Sequence, residues 1–256
     1  MTLAEQLDEL RHSILRDNSD LIAGPDDQLW SDETLLRYIK DAELIFARRT
    51  LILRDGTTPQ VTRVALAEGV QDYRLHKSVV AVLSARYSGG ASPYDLQRSG
   101  RGLIMPATSN GAAQFDIFNP YIAPTTTGAP LAFYTDETTV FASAAITTLS
   151  IYPLPSATEA GQVLNLRVIR VPICGYTMND LGRDSEIPEA YQLDVLEWAA
   201  YRAQRHFDGD AGAPTKSEAH KVAFEAAIDR ALKDLRRQMF GRMPVQYGTN
   251  GFSWER

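Results

Sequence analysis

The helical period that organises the first fifty residues of this chain stops near residue 56 and returns only near residue 187. Side chains that recur every three or four residues suit a helix, and those that alternate suit a strand. The switch therefore divides the molecule into helical ends and a middle of another kind. At the N-terminal end, Thr2 and Glu5 have capping-box spacing, and Leu3, Leu7, Leu10 and Ile14 follow at helical intervals. This spacing predicts a helix over 3–17. Gly24-Pro25 interrupts it. Ser31 then caps a second helix over 32–49, with Asp32 and Glu33 in its first turn and Arg48 and Arg49 in its last, as the helix dipole favours. Leu35, Tyr38, Ile39, Ala42, Ile45 and Phe46 share one face of it. At the other end, Pro188 opens a helix that runs to about Phe207, and "DGDAGAP" breaks it. Thr215 and Glu218 form a second capping box. Phe224, Ile228, Leu232, Leu235 and Met239 make the face of the last helix, which Gly241 stops.

The middle has short strand signals instead. "VTRVALAEGVQDYRL" reads as two strands joined at Glu68-Gly69, and "SVVAVLSARY" as a third. "TTLSIYPL" puts Leu149 and Ile151 on one face, and "VLNLRVIRV" alternates Leu164, Leu166 and Val168 with Asn165 and Arg167. Gly161, between these two, reads as a hairpin turn. Residues 89–130, rich in Gly, Ala, Pro, Ser and Thr, read as long loops. An isolated helix pair buries little surface, so the two pairs are expected to combine. The fold class is α+β. A helical domain is built from 1–55 and 184–240, an antiparallel β-sandwich or barrel-like module at 56–183 is inserted in it, and 241–256 forms an extended C-terminal arm.

Composition narrows the function classes. Of 256 residues, 44% are hydrophobic and 23% charged, enough for a sizeable core, and no apolar run approaches the roughly 20 residues of a membrane span. The N-terminus has neither a basic region nor an apolar core, so it is not read as a secretory signal. A single cysteine, Cys174, rules out an intramolecular disulfide and suits a reducing compartment. The net charge of −6 argues against a free-standing nucleic-acid binder. Residues 1–55 hold 12 acidic against 7 basic side chains and residues 184–240 hold 11 against 8, whereas 56–183 is nearly neutral.

No motif in the chain carries chemistry. Asp208–Gly212 opens like a calcium loop, but its twelfth position is Ala219 where a carboxylate is required. "SGRG" at 99–102 lacks the third glycine of a dinucleotide turn, since Met105 stands there. His12, His76, His206 and His220 form no metal-binding spacing, and no nucleophile elbow is present. Asp180, Asp184 and Glu186 read as charge and capping for the helix at Pro188, with a cation site there left open. Glu189 and Glu197 stand roughly 12 Å apart along one helix, too far to share a water. Tyr191, Val195, Trp198 and the alanines cover a wide arc of that helix, which marks a scaffold element buried on several sides. Trp198, Tyr191, Phe46 and Phe224 are the expected helical core. No catalytic, cofactor-binding or metal residue and no cofactor is put forward.

The chain resembles the head-to-tail adaptor (connector or neck) proteins of tailed bacteriophages, the short-tailed, podovirus-like kind especially. The similarity is carried by "LWSDETLLRYIKDAELIFARR", by "EGVQDYRL", and by "LSIYPLPSATEAGQVLNLRVIRVP". It continues in "IPEAYQLDVLEWAAYRAQRHFDGDAG" and in "KVAFEAAIDRA". The resemblance implies a structural virion protein without catalytic residues, located in the neck or tail and assembled in the host cytoplasm. It implies a ring, typically of twelve copies, beneath the portal protein. The helical domain would dock to the portal, and the β-module would face tail nozzle, hub or fibre proteins. DNA would pass through the channel without sequence-specific binding, and no membrane is involved. Acidic helical ends would let DNA phosphates slide past. Two other classes remain open. One is a virion-associated cell-wall-degrading enzyme. The other is a carbohydrate-binding module, for which Tyr87, Tyr94, Tyr121 and Tyr134 are candidates. Tyr247, Phe252 and Trp254 give the C-terminal arm more aromatic surface than a solvated tail needs, and are expected to dock on the portal or a neighbouring copy.

Overall fold

The computed structural model describes residues 1–17, 29–90, 92–98, 127–135, 138–141, 144–206 and 214–240. The chain forms two compact units, one of Met1–Ile52 with Cys174–Arg256 and one of Leu53–Ile173. Together they make a mixed α+β protein.

The helical unit begins with α1 (Leu3–Glu9), whose N-terminus is closed by reciprocal bonds. Thr2 Oγ1 accepts from Glu5 N at 3.2 Å, and Glu5 Oε2 accepts from Thr2 N at 2.8 Å. The sequence predicts one helix to residue 17, but the chain widens into a π-helical turn over Leu10–Leu15 and stops at Arg16 in a left-handed conformation. The wider turn accompanies a buried cation. Arg11 is 6% exposed and reaches Asp17 at 2.9 Å, the Trp30 carbonyl at 2.9 Å and Asp32 at 2.5 Å. Asp17 also accepts from Leu29 N at 3.1 Å and so fixes the lead-in to α2 (Asp32–Thr50). Ser31 caps α2 through Thr34 N, as its sequence position suggests.

Helix α4 (Glu189–His206) is the centre of this unit and packs against α1, the π turn, α2 and α5 (Pro214–Phe240). Ala199, Ala200 and Ala203 are fully buried, so neighbouring backbones approach closely. Pro188 lies just outside α4, its carbonyl accepting from Tyr191 N. Helix α5 starts one residue before Thr215, which places Thr215 inside the first turn rather than at the cap. Phe207, the loop 208–213 and Gly241 lie outside the described residues. The chain start is sewn to residues 181–185: Leu3 N bonds Arg183 O at 2.8 Å, and Ala4 N bonds Leu181 O at 2.9 Å.

The β unit contains a short helix α3 (Pro59–Thr62) and ten strands. These are β1 (Arg54–Asp55), β2 (Arg63–Ala65), β3 (Asp72–Arg74), β4 (Val79–Tyr87) and β5 (Tyr94–Asp95). The rest are β6 (Gln97–Arg98), β7 (Ala132–Tyr134), β8 (Thr138–Phe141), β9 (Ala144–Tyr152) and β10 (Val163–Arg170). One sheet runs β1-β10-β4-β5 with β2 also on β10, and the other runs β3-β9-β7-β6 with β8 also on β9. All pairings are antiparallel except β6 with β7, and no barrel closes among the described residues. Val82, Ala85 and Leu166 from one sheet and Phe133, Leu149 and Ile151 from the other belong to one apolar core.

Two local expectations fail on strand partners. The strands either side of Glu68-Gly69 are real but do not pair: β2 lies on β10 and β3 on β9. Likewise Gly161 is no hairpin turn, because β9 and β10 belong to different sheets. Gly161 does take a left-handed φ of 83°, and its N–H bonds Leu66 O at 2.8 Å. The physical reason is common to both: short connections fix where a strand starts, but burial on two opposed faces decides its partner. Tyr73 holds the first of these turns. Its hydroxyl accepts from Ala67 N at 3.0 Å and faces the Ala67 and Val70 carbonyls at 3.2 and 3.0 Å.

Candidate interaction surface

Phe46 on α2, Tyr191 and Trp198 on α4 and Phe224 on α5 form one aromatic cluster. Ring centroids lie 5.6 Å apart for Phe46–Tyr191, 6.1 Å for Phe46–Phe224 and 5.1 Å for Trp198–Phe224. Phe46 and Phe224 are fully buried and Tyr191 nearly so. Trp198 corrects the expectation of an interior ring: it is half-buried, its Nε1 enclosed without a hydrogen-bond partner among the described residues. Its remaining surface lines a groove of about 400 Å³ with Tyr201, Arg202 and Arg205. A second groove, about 650 Å³, meets the first at Arg202 and runs along Leu29, Trp30, Arg37 and Tyr38.

The side chains of this surface are held by one another. The Arg202 guanidinium sits 5.4 Å from the Tyr38 ring centroid and 3.3 Å from Asp41, and Arg205 donates to the Tyr201 hydroxyl at 2.7 Å. Trp30 is positioned from beneath by Arg11 and Asp17. Sequence reading missed this surface. The spacing Trp198–Arg202 and Tyr201–Arg205, four residues each, was the available signal. Its opposing wall comes from α2 and could not be read locally.

Behind the surface lies a buried carboxylate. Glu43 is fully enclosed and accepts from Tyr176 OH at 2.5 Å, Ser185 Oγ at 2.5 Å and Gln6 Nε2 at 3.1 Å. Burial, then the Glu43 charge, pushes the Tyr176 phenol far up, so it stays a donor. Burial likewise lifts the half-buried Cys174 thiol to about 11, which makes it a poor nucleophile. This bonding explains why the helical unit begins at Cys174.

The acidic cluster does not cap α4. Asp180 closes its own 3₁₀ turn, Met178–Asp180, by accepting from Thr177 Oγ1 at 2.6 Å, and that bond first, with Thr177 N, lowers its pKa. Glu186 accepts from Cys174 N at 2.9 Å, and Asp184 pairs with Thr2 as an isolated bridge. Among the described residues no group of three or more acidic, His or Cys side chains is placed to hold a metal. Glu197, read as a marginal charge, meets His220 at 2.5 Å, and the other ring nitrogen faces Gln204 at 3.2 Å.

The tyrosines considered for sugar binding are engaged elsewhere. Tyr87 and Tyr134 are buried, Tyr94 donates to the Pro130 carbonyl at 2.7 Å, and Tyr121 lies outside the described residues. So do Tyr247, Phe252 and Trp254 of the C-terminal arm. No described helix is long and apolar enough to cross a membrane.

Tryptophan, tyrosine and arginine gathered on a rigid helical scaffold are the side chains of an assembly protein's contact surface. The profile of the SU10 adaptor protein family matches residues 1–246, and the chain belongs to that family. It is a phage head–tail adaptor, a structural component of the virion. No curated protein matches the chain.

Proposed function

We propose that this adaptor forms a closed ring, of twelve copies, beneath the portal of a short-tailed phage. The helical unit docks to the portal and the β unit meets tail nozzle, hub or fibre proteins. DNA passes through the centre without sequence-specific contact. The family match over residues 1–246 carries this reading. The acidic balance of both helical ends supports it, because a wall of like charge does not retain phosphates. The segment 241–256 acts as a docking arm that lays Tyr247, Phe252 and Trp254 into the portal or a neighbouring copy. The helical core of Trp198, Tyr191, Phe46 and Phe224 holds the docking unit rigid. Ring assembly takes place in the host cytoplasm, on the portal. Cryo-electron microscopy of purified necks tests the proposal: a twelve-fold ring is expected, and single isolated copies would overturn it.

A further inference from the structure

The grooves that meet at Arg202 have a counterpart elsewhere on the same unit. Helix α5 turns Phe224, Ala227, Ile228 and Ala231 toward the interior, all of them buried. Half a turn away, at 100° per residue, Ala219, Val222, Ala223 and Ala226 form a ridge, all exposed, with Val222 at 67%. Glu218 and Asp229 run along one side of the ridge. Arg230, paired with Asp194 at 3.2 Å, lies on the other, and the exposed Lys233 follows. A smooth apolar spine with an acidic flank is unusual on a solvated helix face.

The grooves have the opposite character. Their walls are Trp30, Tyr38, Trp198 and Tyr201, and their charges are Arg37, Arg202 and Arg205 against the single carboxylate of Asp41. Arg37 has no carboxylate partner among the described residues. The grooves are built by α2, its lead-in and α4, and the ridge by α5 alone, so the two surfaces are disjoint.

We infer that the α5 ridge of one copy seats in the Arg202 grooves of the next. Small side chains let the helix approach the aromatic walls, while Glu218 and Asp229 meet the arginines. Two different surfaces of one chain in contact make a heterologous interface, which propagates head to tail and closes where the rotation allows. The inference rests on the ring reading and assigns the surface through which its copies touch.

Cross-linking on assembled particles tests it. Arg37→Cys and Val222→Cys are introduced together into the full chain, assembled on portal-bearing heads, and treated with a short bis-maleimide. Both positions are exposed, so folding is not at stake, and the raised Cys174 thiol reacts slowly. A ladder of cross-linked multimers is expected, with neither single-cysteine variant producing one. Adding Arg202→Glu should erase the ladder, and Asp229→Arg in the same chain should restore it. A ring visible by microscopy without a ladder overturns the interface and leaves the ring standing. Cross-links to the portal protein instead mean that the grooves serve that partner, which also overturns it. Particles with no ring overturn both readings together.

Discussion

At the scale of single residues, two carboxylates carry much of the local stability. Glu43 draws Gln6, Tyr176 and Ser185 onto one buried acceptor. Glu43→Ala leaves three donors without it, and the cost should exceed about 3 kcal/mol by urea denaturation. A loss under 1 kcal/mol would show that the donors find other partners. Asp55, in the β unit, is nearly buried and meets Arg170 at 2.6 Å. Burial raises its pKa, but bonds from Thr58, the Thr57 and Thr58 N–H groups and Arg170 outweigh burial and hold it well below the usual range. A depressed folded pKa contributes stability that is complete above the unfolded value, about 3.9, and is lost as pH falls toward the folded one. Asp55→Asn should therefore flatten the acid limb of stability below about pH 4. An unchanged limb would discount the pair.

At the scale of elements, β4 shows how a strand departs from alternation without losing its face. Val79, Val82, Ala85 and Tyr87 all point inward, although two of those intervals are three residues. The register against β10 shifts twice, leaving Val80 and Leu83 unmatched, and each bulge turns the strand back to the core. In α4, Trp198 contributes packing on one edge and groove surface on the other. Trp198→Ala should cost about 2–3 kcal/mol, below the range of a fully enclosed aromatic. Trp198→Phe removes an unpaired buried N–H while keeping most of the ring, so its effect should stay within about 1 kcal/mol. Thermal denaturation of the two variants distinguishes packing from polarity; equal losses would contradict this division.

At the scale of the whole molecule, the arm and the grooves make separable demands. Deleting 242–256 should leave helical content and melting temperature unchanged, since the described helices bond and pack without it. The same deletion should weaken attachment to portal-bearing heads, measured by co-sedimentation. Wild-type attachment by the truncated chain would remove the arm from the docking mechanism. Because a rigid surface binds with less ordering cost than a free segment, loss of the arm and loss of the grooves should differ in kind. The first should affect retention on heads, and the second contact between copies.

Local chemistry determined a good deal here. The caps at Thr2 and Ser31, the helical faces from Leu35 to Phe46, and the inward positions Leu149, Ile151, Leu164, Leu166 and Val168 follow from spacing that a residue shares with its near neighbours. The α+β class follows from the same periods. What spacing could not supply was any choice between distant partners. Whether β9 turns back on β10 or crosses to another sheet depends on which opposed faces need covering, and no turn residue encodes that. The π turn answers to Arg11, whose partners stand up to 21 residues away. The Arg202 grooves exist only because α2 and α4 are brought side by side, with Tyr38 beneath an arginine that the chain places 164 residues later. Periodicity is a property of neighbours along the chain. A surface is a property of neighbours in space, and only packing makes those.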